Sequence, residues 1–407
     1  MEVKQTMIKT NINLLTDNKM RLLPRLLLPV ILSVTLAACG GGSDTAEVIP
    51  DPIDPTTPVP TAPTNTIENE FGLWLTDLAN NHVLPSYQNL QESALILSSK
   101  STDFCVKQTN SNDELVALQQ SWRQVMSSWQ TIQWLKVGPI VKSNRIFRLH
   151  YWPDSKDSVG RGVTNLLATS EVVNETFIAT QSVGSQGLPA LEQLLFTEAS
   201  QNSLLNASDK DKRCEVLIAI SANVATVTTE VNNEWQIAGG NYYAQLTGGT
   251  GDFSSKKDAV EELVTNWLEQ IERVKDEKML VPLSVSSPGI PSIAEHALSE
   301  ATVVSIQKNI NTFSVIYSAG SGHGFDNILI DHLGQQNIAT EMLSSIDGAI
   351  TSADALAGSY ETLLKTADGR AQITATIDSL RAIRDVLTVD FVQATDINIG
   401  FNSNDGD

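Results

Sequence analysis

Five histidines, His82, His150, His296, His323 and His332, are the scarcest metal-ligating side chains of the sequence. No two stand four residues apart, the spacing by which an HExxH helix holds zinc, so no single helix carries a preformed zinc site. Glu192 is the one charge in GLPALEQLLF (187–196). It reads either as a lone carboxylate ligand or pocket acid, or as an anion stabilised by the dipole at a helix N-terminus. Asp154 follows Trp152-Pro153 in a stretch that also holds Arg145, Arg148 and Arg161. Either it belongs to a turn and a surface ion network, or Arg145 and Arg161 hold an acidic partner in a cleft wall. His150, beside Tyr151, reads as a ligand or as a hydrogen-bonded structural residue. Glu295-His296 and the turn Gly322–Asp326 read as capping and turn residues, each able to bring a donor towards an interface between helices. Adjacent residues on a helix point about 100° apart, which argues against Glu295 and His296 chelating one ion. No GxSxG, Walker loop, glycine-rich dinucleotide turn or CxxC pair is present, so nucleotide binding and the common nucleophile chemistries have no support.

The elements that must position these residues are helices. Leu115, Leu118, Trp122, Val125, Trp129 and Ile132 advance in steps of three and four, which places them on one stripe of a helix capped by Asn112 or Asp113. Trp122 and Trp129 are therefore core residues rather than ligand-stacking ones. Similar stripes run through Leu217, Ile220, Val224, Val227 and Val231, and through Val260, Leu263, Trp267, Ile271 and Val274. Two more follow in Ile338, Met342, Ile346, Ala349 and Ala353, and in Ile373, Ile377, Leu380, Leu387 and Phe391. No comparable stretch alternates with period two. One-faced helices bury their stripes against one another, so the fold class is all-α, with two helical bundles packed together. The glycine-rich run GGNYYAQLTGGTG (239–251) separates a first bundle, 67–240, from a second, 250–407. An irregular segment, 136–187, interrupts the first, with Gly138-Pro139, Trp152-Pro153 and Gly160 as breakers; a second irregular patch spans 281–291.

Composition narrows the partners. The chain has 407 residues, 41% hydrophobic, 18% charged, with mean hydropathy −0.07, which excludes wholesale disorder and a multi-span membrane protein. Its 27 basic and 47 acidic residues give a net charge of −20. A field of that sign repels phosphate backbones and favours cations or basic partners, so no nucleic acid is expected.

The N-terminus is an address. Arg21 and Arg25 precede an apolar run, Leu26 to Leu36, that is too short to span a bilayer and ends in Leu36-Ala37-Ala38-Cys39 followed by three glycines. Residues 1–38 read as a signal peptide, with Met20 an alternative start. The sequence around Cys39 resembles a bacterial lipobox, which implies a lipidated cysteine and a membrane anchor. Residues 39–66 carry six prolines between Pro50 and Pro63 and read as an extended tether; at about 3.1 Å per residue, two dozen residues reach roughly 75 Å. Gly40 after the cysteine resembles outer-membrane sorting, which implies a folded part facing the periplasm. In an exported protein the remaining pair, Cys105 and Cys214, favours a disulfide over two buried thiols.

Five stretches then carry a family resemblance. GLPALEQLLF (187–196) resembles the signature helix of the imelysin-like proteins, whose hallmark is GxHxxE. WRQVMSSWQTIQWLKVGPI (122–140), RIFRLHYWPDSKDSVGRGV (145–163), SIQKNINTF (305–313) with GHGFDNILI (322–330), and IGFNSNDGD (399–407) resemble other segments of that family. The resemblance implies paired helical bundles and a role in the bacterial envelope, either in iron uptake or as a metallopeptidase, with GxHxxE as the metal site. Here the motif's histidine is Pro189, which preserves the start of a helix and removes a ligand, while Glu192 keeps the acidic position. The reading that follows is a metal- or ligand-binding lipoprotein tied to iron uptake, without catalysis and with iron or another divalent metal as its ligand. The alternatives are an imelysin-type metallopeptidase and a structural adaptor for another envelope protein. The lipobox makes a direct prediction: radiolabelled palmitate added to expressing cells is incorporated into the wild-type protein, and Cys39→Ser abolishes the label.

Overall fold

The structure, a computed structural model, describes residues 66–400 except 108, 207 and 208. The expected signal peptide, Cys39, the expected tether up to 65 and the terminal 401–407 lie outside the described residues. Among the described residues all regular structure is helical. The principal helices are α1 (Ile67–Leu78), α2 (Leu84–Cys105), α3 (Asn112–Ile132), α4 (Arg145–Leu149), α5 (Ser158–Ala168) and α6 (Gly187–Phe196). They continue with α7 (Lys210–Trp235), α8 (Lys256–Glu272), α9 (Thr302–Tyr317), α10 (Gln336–Asp354) and α11 (Ala367–Val386).

The expected stripes are the buried faces. Every stripe residue named above in α3, α7 and α8 is buried, and in the last two stripes only Ile338 is partly exposed. The cap of α3 is Ser111, one residue before the expected pair. Its Oγ accepts from the Glu114 amide at 3.3 Å while Glu114 Oε2 accepts from the Ser111 amide at 2.8 Å, a reciprocal box of the kind that contributes about 1 kcal/mol. The irregular segment resolves into α4, α5, a short helix Glu175–Ala179 and single 3-10 turns. Gly160 lies inside α5 rather than breaking it.

Helix α2 packs on both α3 and α7, α10 packs on both α9 and α11, and α3 lies against α9 to join the two groups. Helix α1 precedes the first group in sequence but packs on α8, and Trp74 Nε1 donates to the Ile316 carbonyl at 3.2 Å. One connected apolar core results. Cys105 at the end of α2 and Cys214 in the first turns of α7 form a disulfide with Cα atoms 5.4 Å apart, so the bridge rather than the thiol pair is formed.

His82 sits in the π-helical turn Ala79–Val83 between α1 and α2. Its Nε2 accepts from Trp134 Nε1 at 3.1 Å, and burial lowers its pKa from 6.5 to about 4. The native protein therefore resists a proton that the unfolded chain takes up below about pH 6.5. Stability falls as pH drops from 6.5 towards 4, by at most roughly 1.4 kcal/mol per pH unit from this residue. Urea titrations at pH 7 and pH 5 read that slope, and His82→Asn flattens it by one proton's worth.

Candidate functional site

Helix α6 is placed by its first residue. Gly187 has φ +74°, and a Cβ there would lie 2.3 Å from the Leu149 carbonyl oxygen, so only glycine allows α6 to start against the end of α4. Trp122 Nε1 donates to the Leu188 carbonyl at 3.0 Å and Gln119 Nε2 to the Leu195 carbonyl at 2.7 Å, which fixes α6 on α3. Glu192 consequently points inward and is buried. Its Oε1 accepts from the Ser299 amide at 2.9 Å and the Ser299 hydroxyl at 2.6 Å, and its Oε2 stands 3.5 Å from His296 Nδ1. Arg123 supports the same turn by donating to the Ser299 carbonyl at 2.9 Å.

Glu295 and His296 do not lie on a helix. They occupy a turn in which His296 has φ +58°, and this left-handed residue lets the two neighbouring side chains converge. The expectation that they diverge, which assumed helical geometry, is thereby corrected. Glu295, 1% exposed, has its Oε2 2.9 Å from the ammonium of Lys278, which is wholly buried. Lys278 lies in a π-helical stretch, Arg273–Leu280, that continues α8. Its ammonium also donates to Gln130 Oε1 at 2.9 Å and to Asn309 Oδ1 at 2.7 Å, so each of its three protons has an acceptor nearby. His150 Nε2 is 3.7 Å from Glu295 Oε1, and the rings of His150 and His296 are 5.1 Å apart between centroids.

The electrostatics follow from burial. Desolvation pushes the His150 imidazole down to about 3, so it is neutral. Desolvation works to raise the Glu295 carboxyl, but the Lys278 ammonium beside it outweighs this and holds the group at about 2. Burial lowers Lys278, opposed by Glu295, and the three acceptors keep it an ammonium. His150 Nε2 and Glu295 Oε1 have no hydrogen-bond partner.

A cleft of about 410 Å³ opens over this cluster. Trp152, Pro153, Pro189, Val281, Ile293 and Leu298 contribute its apolar wall, and Glu192 and His296 line it. Asp154, Asp157 and Glu277 add carboxylates, and no lysine or arginine lines it. An apolar, anionic cleft ending at a carboxylate and an imidazole suits a cation or a ligand rich in hydrogen-bond donors.

The sequence candidates separate accordingly. Glu192 and His150 meet in one cluster. Asp154 instead caps α5: its Oδ1 accepts from the Ser158 amide at 2.9 Å and its Oδ2 from the Val159 amide at 2.8 Å. Partial burial opposes ionisation of Asp154, but these amides hold its carboxyl below the usual range. Arg145 pairs with Glu230 at 3.0 Å and Glu234 at 2.7 Å on α7, while Arg161 is exposed and donates to the Lys156 carbonyl. Asp154 does line the cleft, but among the described residues neither arginine pairs with it, so the reading in which Arg145 and Arg161 hold it is corrected to a cap and two separate contacts. His323 lies elsewhere, 2.6 Å from Glu70 on α1. Lys278, Gln130, Asn309 and Ser299 were missed. The stripe Val260 to Val274 continues in step to position 278, where a lysine in place of an apolar residue was the available signal.

Fold and site define an all-helical protein with a buried polar cluster between its two groups of helices. The chain belongs to the imelysin family, whose family model, described as imelysin, matches residues 83–387. It is similar to the crystal structure of an imelysin-like protein from Psychrobacter arcticum, with 18% identity, 82% of this chain and 98% of that chain covered, and a TM-score of 0.68. It is also similar to a structure from Parabacteroides distasonis provisionally named iron-regulated protein A precursor, with 15% identity, coverages of 81% and 96%, and a TM-score of 0.65. No curated protein sequence matches.

Removing Lys278 leaves the Glu295 anion buried and unpaired. Lys278→Met therefore destabilises the protein by about 3–5 kcal/mol in urea titrations, and adding Glu295→Leu recovers most of the loss.

Proposed function

We propose that this imelysin-family chain is a lipid-anchored envelope protein that binds a metal ion, or a ligand carrying one, in the cleft ending at Glu192 and His296. On this reading Cys39 anchors it in the outer membrane, the folded part faces the periplasm, and the bound cargo serves iron acquisition without catalysis. The observation that carries the reading is the position of Glu192: the motif's carboxylate is buried at the end of an anionic cleft with an imidazole 3.5 Å away. Pro189 lines the same cleft, so the histidine absent from the motif position is met by one from a distant turn. The name of the Parabacteroides relative supports an iron connection. Against proteolysis stand the substitution at Pro189 and the lack of any HExxH pair among the five histidines.

The test is an iron titration of the full-length protein in detergent, with Fe²⁺ and Fe³⁺, alongside a peptide-cleavage assay. Stoichiometric iron binding that Glu192→Ala abolishes, with no cleavage, is the expected result. Chelator-sensitive cleavage lost in Glu192→Ala would replace the binding role with a metallopeptidase.

A further inference from the structure

Behind the cleft, three donor side chains that no family motif names stand together. His150, Glu295 and His296 are all buried, and one ligand atom from each lies within 4.8 Å of the others. We propose that these three residues form a site for one divalent first-row transition ion, with two imidazole nitrogens and one carboxylate oxygen as protein ligands. The proposal deepens the ligand-binding reading of the same cleft and rests on that reading for the ion's way in, past His296.

The first support is the pair of atoms with nothing to bond. Buried polar atoms in native proteins are nearly always hydrogen-bonded, yet His150 Nε2 and Glu295 Oε1 face each other at 3.7 Å with no partner. Two ligands about 2.1 Å from an ion at the tetrahedral angle stand about 3.4 Å apart, so the pair lies within a few tenths of an ångström of bridging one. The donor set is also right for the class, since imidazole with carboxylate suits Zn²⁺, Fe²⁺ and their neighbours rather than Ca²⁺ or Mg²⁺.

The second support is the shell behind the donors. His296 Nδ1 is turned to Glu192, the carboxylate–imidazole arrangement that fixes a metal-bound histidine's tautomer and leaves Nε2 as the lone-pair nitrogen. Gln130 Nε2 now approaches that nitrogen at 3.2 Å, and the ion displaces this neutral contact. Glu192 therefore acts as a positioning residue for His296, which assigns the surviving half of GxHxxE a role beside the ion.

Lys278 is the competing cation. It holds Glu295 Oε2 and leaves Oε1 to the ion, so its positive charge weakens binding rather than blocking it. His150 and Glu295 are buried behind the cleft lining, while His296 lines it.

The experiment is a Co²⁺ titration of chelator-stripped full-length protein, followed by visible absorption and by competition with Zn²⁺. One Co²⁺ per chain with a ligand-field spectrum is expected, weakened at least about tenfold in His150→Ala, Glu295→Gln and His296→Ala, and by about tenfold in Glu192→Gln. Thermal melts guard against misfolding: Lys278→Met, destabilised in chelator, regains stability in Zn²⁺ and binds Co²⁺ more tightly than wild type. Co²⁺ binding that is unchanged in His150→Ala overturns the three-residue site. Iron binding lost in Glu192→Ala but retained in folded His150→Ala also overturns it while leaving the proposed function standing; no metal binding in wild type removes both.

Discussion

A carboxylate taken out of water must be compensated where it stands, and beneath the cleft this protein buries two close together, Glu192 and Glu295, among apolar helices. The compensation comes from far along the chain. Ser299 and His296 answer Glu192, while Lys278 answers Glu295 and is in turn held by Gln130 on α3 and Asn309 on α9. None of these charges is tolerable until helices from both parts of the sequence have closed around it. The cluster therefore couples assembly of the fold to assembly of the site.

Local backbone departures supply the geometry. The stripe of α8 runs on into the π-helical stretch 273–280, which departs from regular α-helical geometry where it carries the buried Lys278. The left-handed His296 brings its ring beside the Glu295 carboxylate, and Gly187 lets α6 touch the carbonyls that precede His150. Each departure carries a cost that the surrounding packing offsets, and all three converge on one volume. Departures from ideal structure gathered at one place are what a positioned site requires.

The substitution at Pro189 changes meaning in this setting. In the linear motif it deletes an imidazole; in three dimensions an imidazole remains beside Glu192, supplied by His296 from a turn more than a hundred residues away. The long helix α7, tied to α2 by the Cys105–Cys214 bridge, and the clamp of Trp122 and Gln119 on α6 keep that arrangement fixed.

By itself the sequence determined the helices, their buried faces, the family and the cysteine pair, because apolar periodicity, capping and motif spacing are local properties that need no partner to be expressed. Ser111 in place of Asn112 or Asp113 as a cap, and Gly160 inside a helix, are errors of one or a few residues. The site was legible only in fragments: Glu192 and His150 as isolated candidates, Glu295-His296 as a pair set aside by a rule valid for helices, and Lys278 not at all. Only the tertiary structure decided that these meet and that Arg145 and Arg161 turn to other partners than Asp154. A buried charge is admissible or forbidden according to neighbours that chain order does not reveal, and those neighbours exist only once the core has closed.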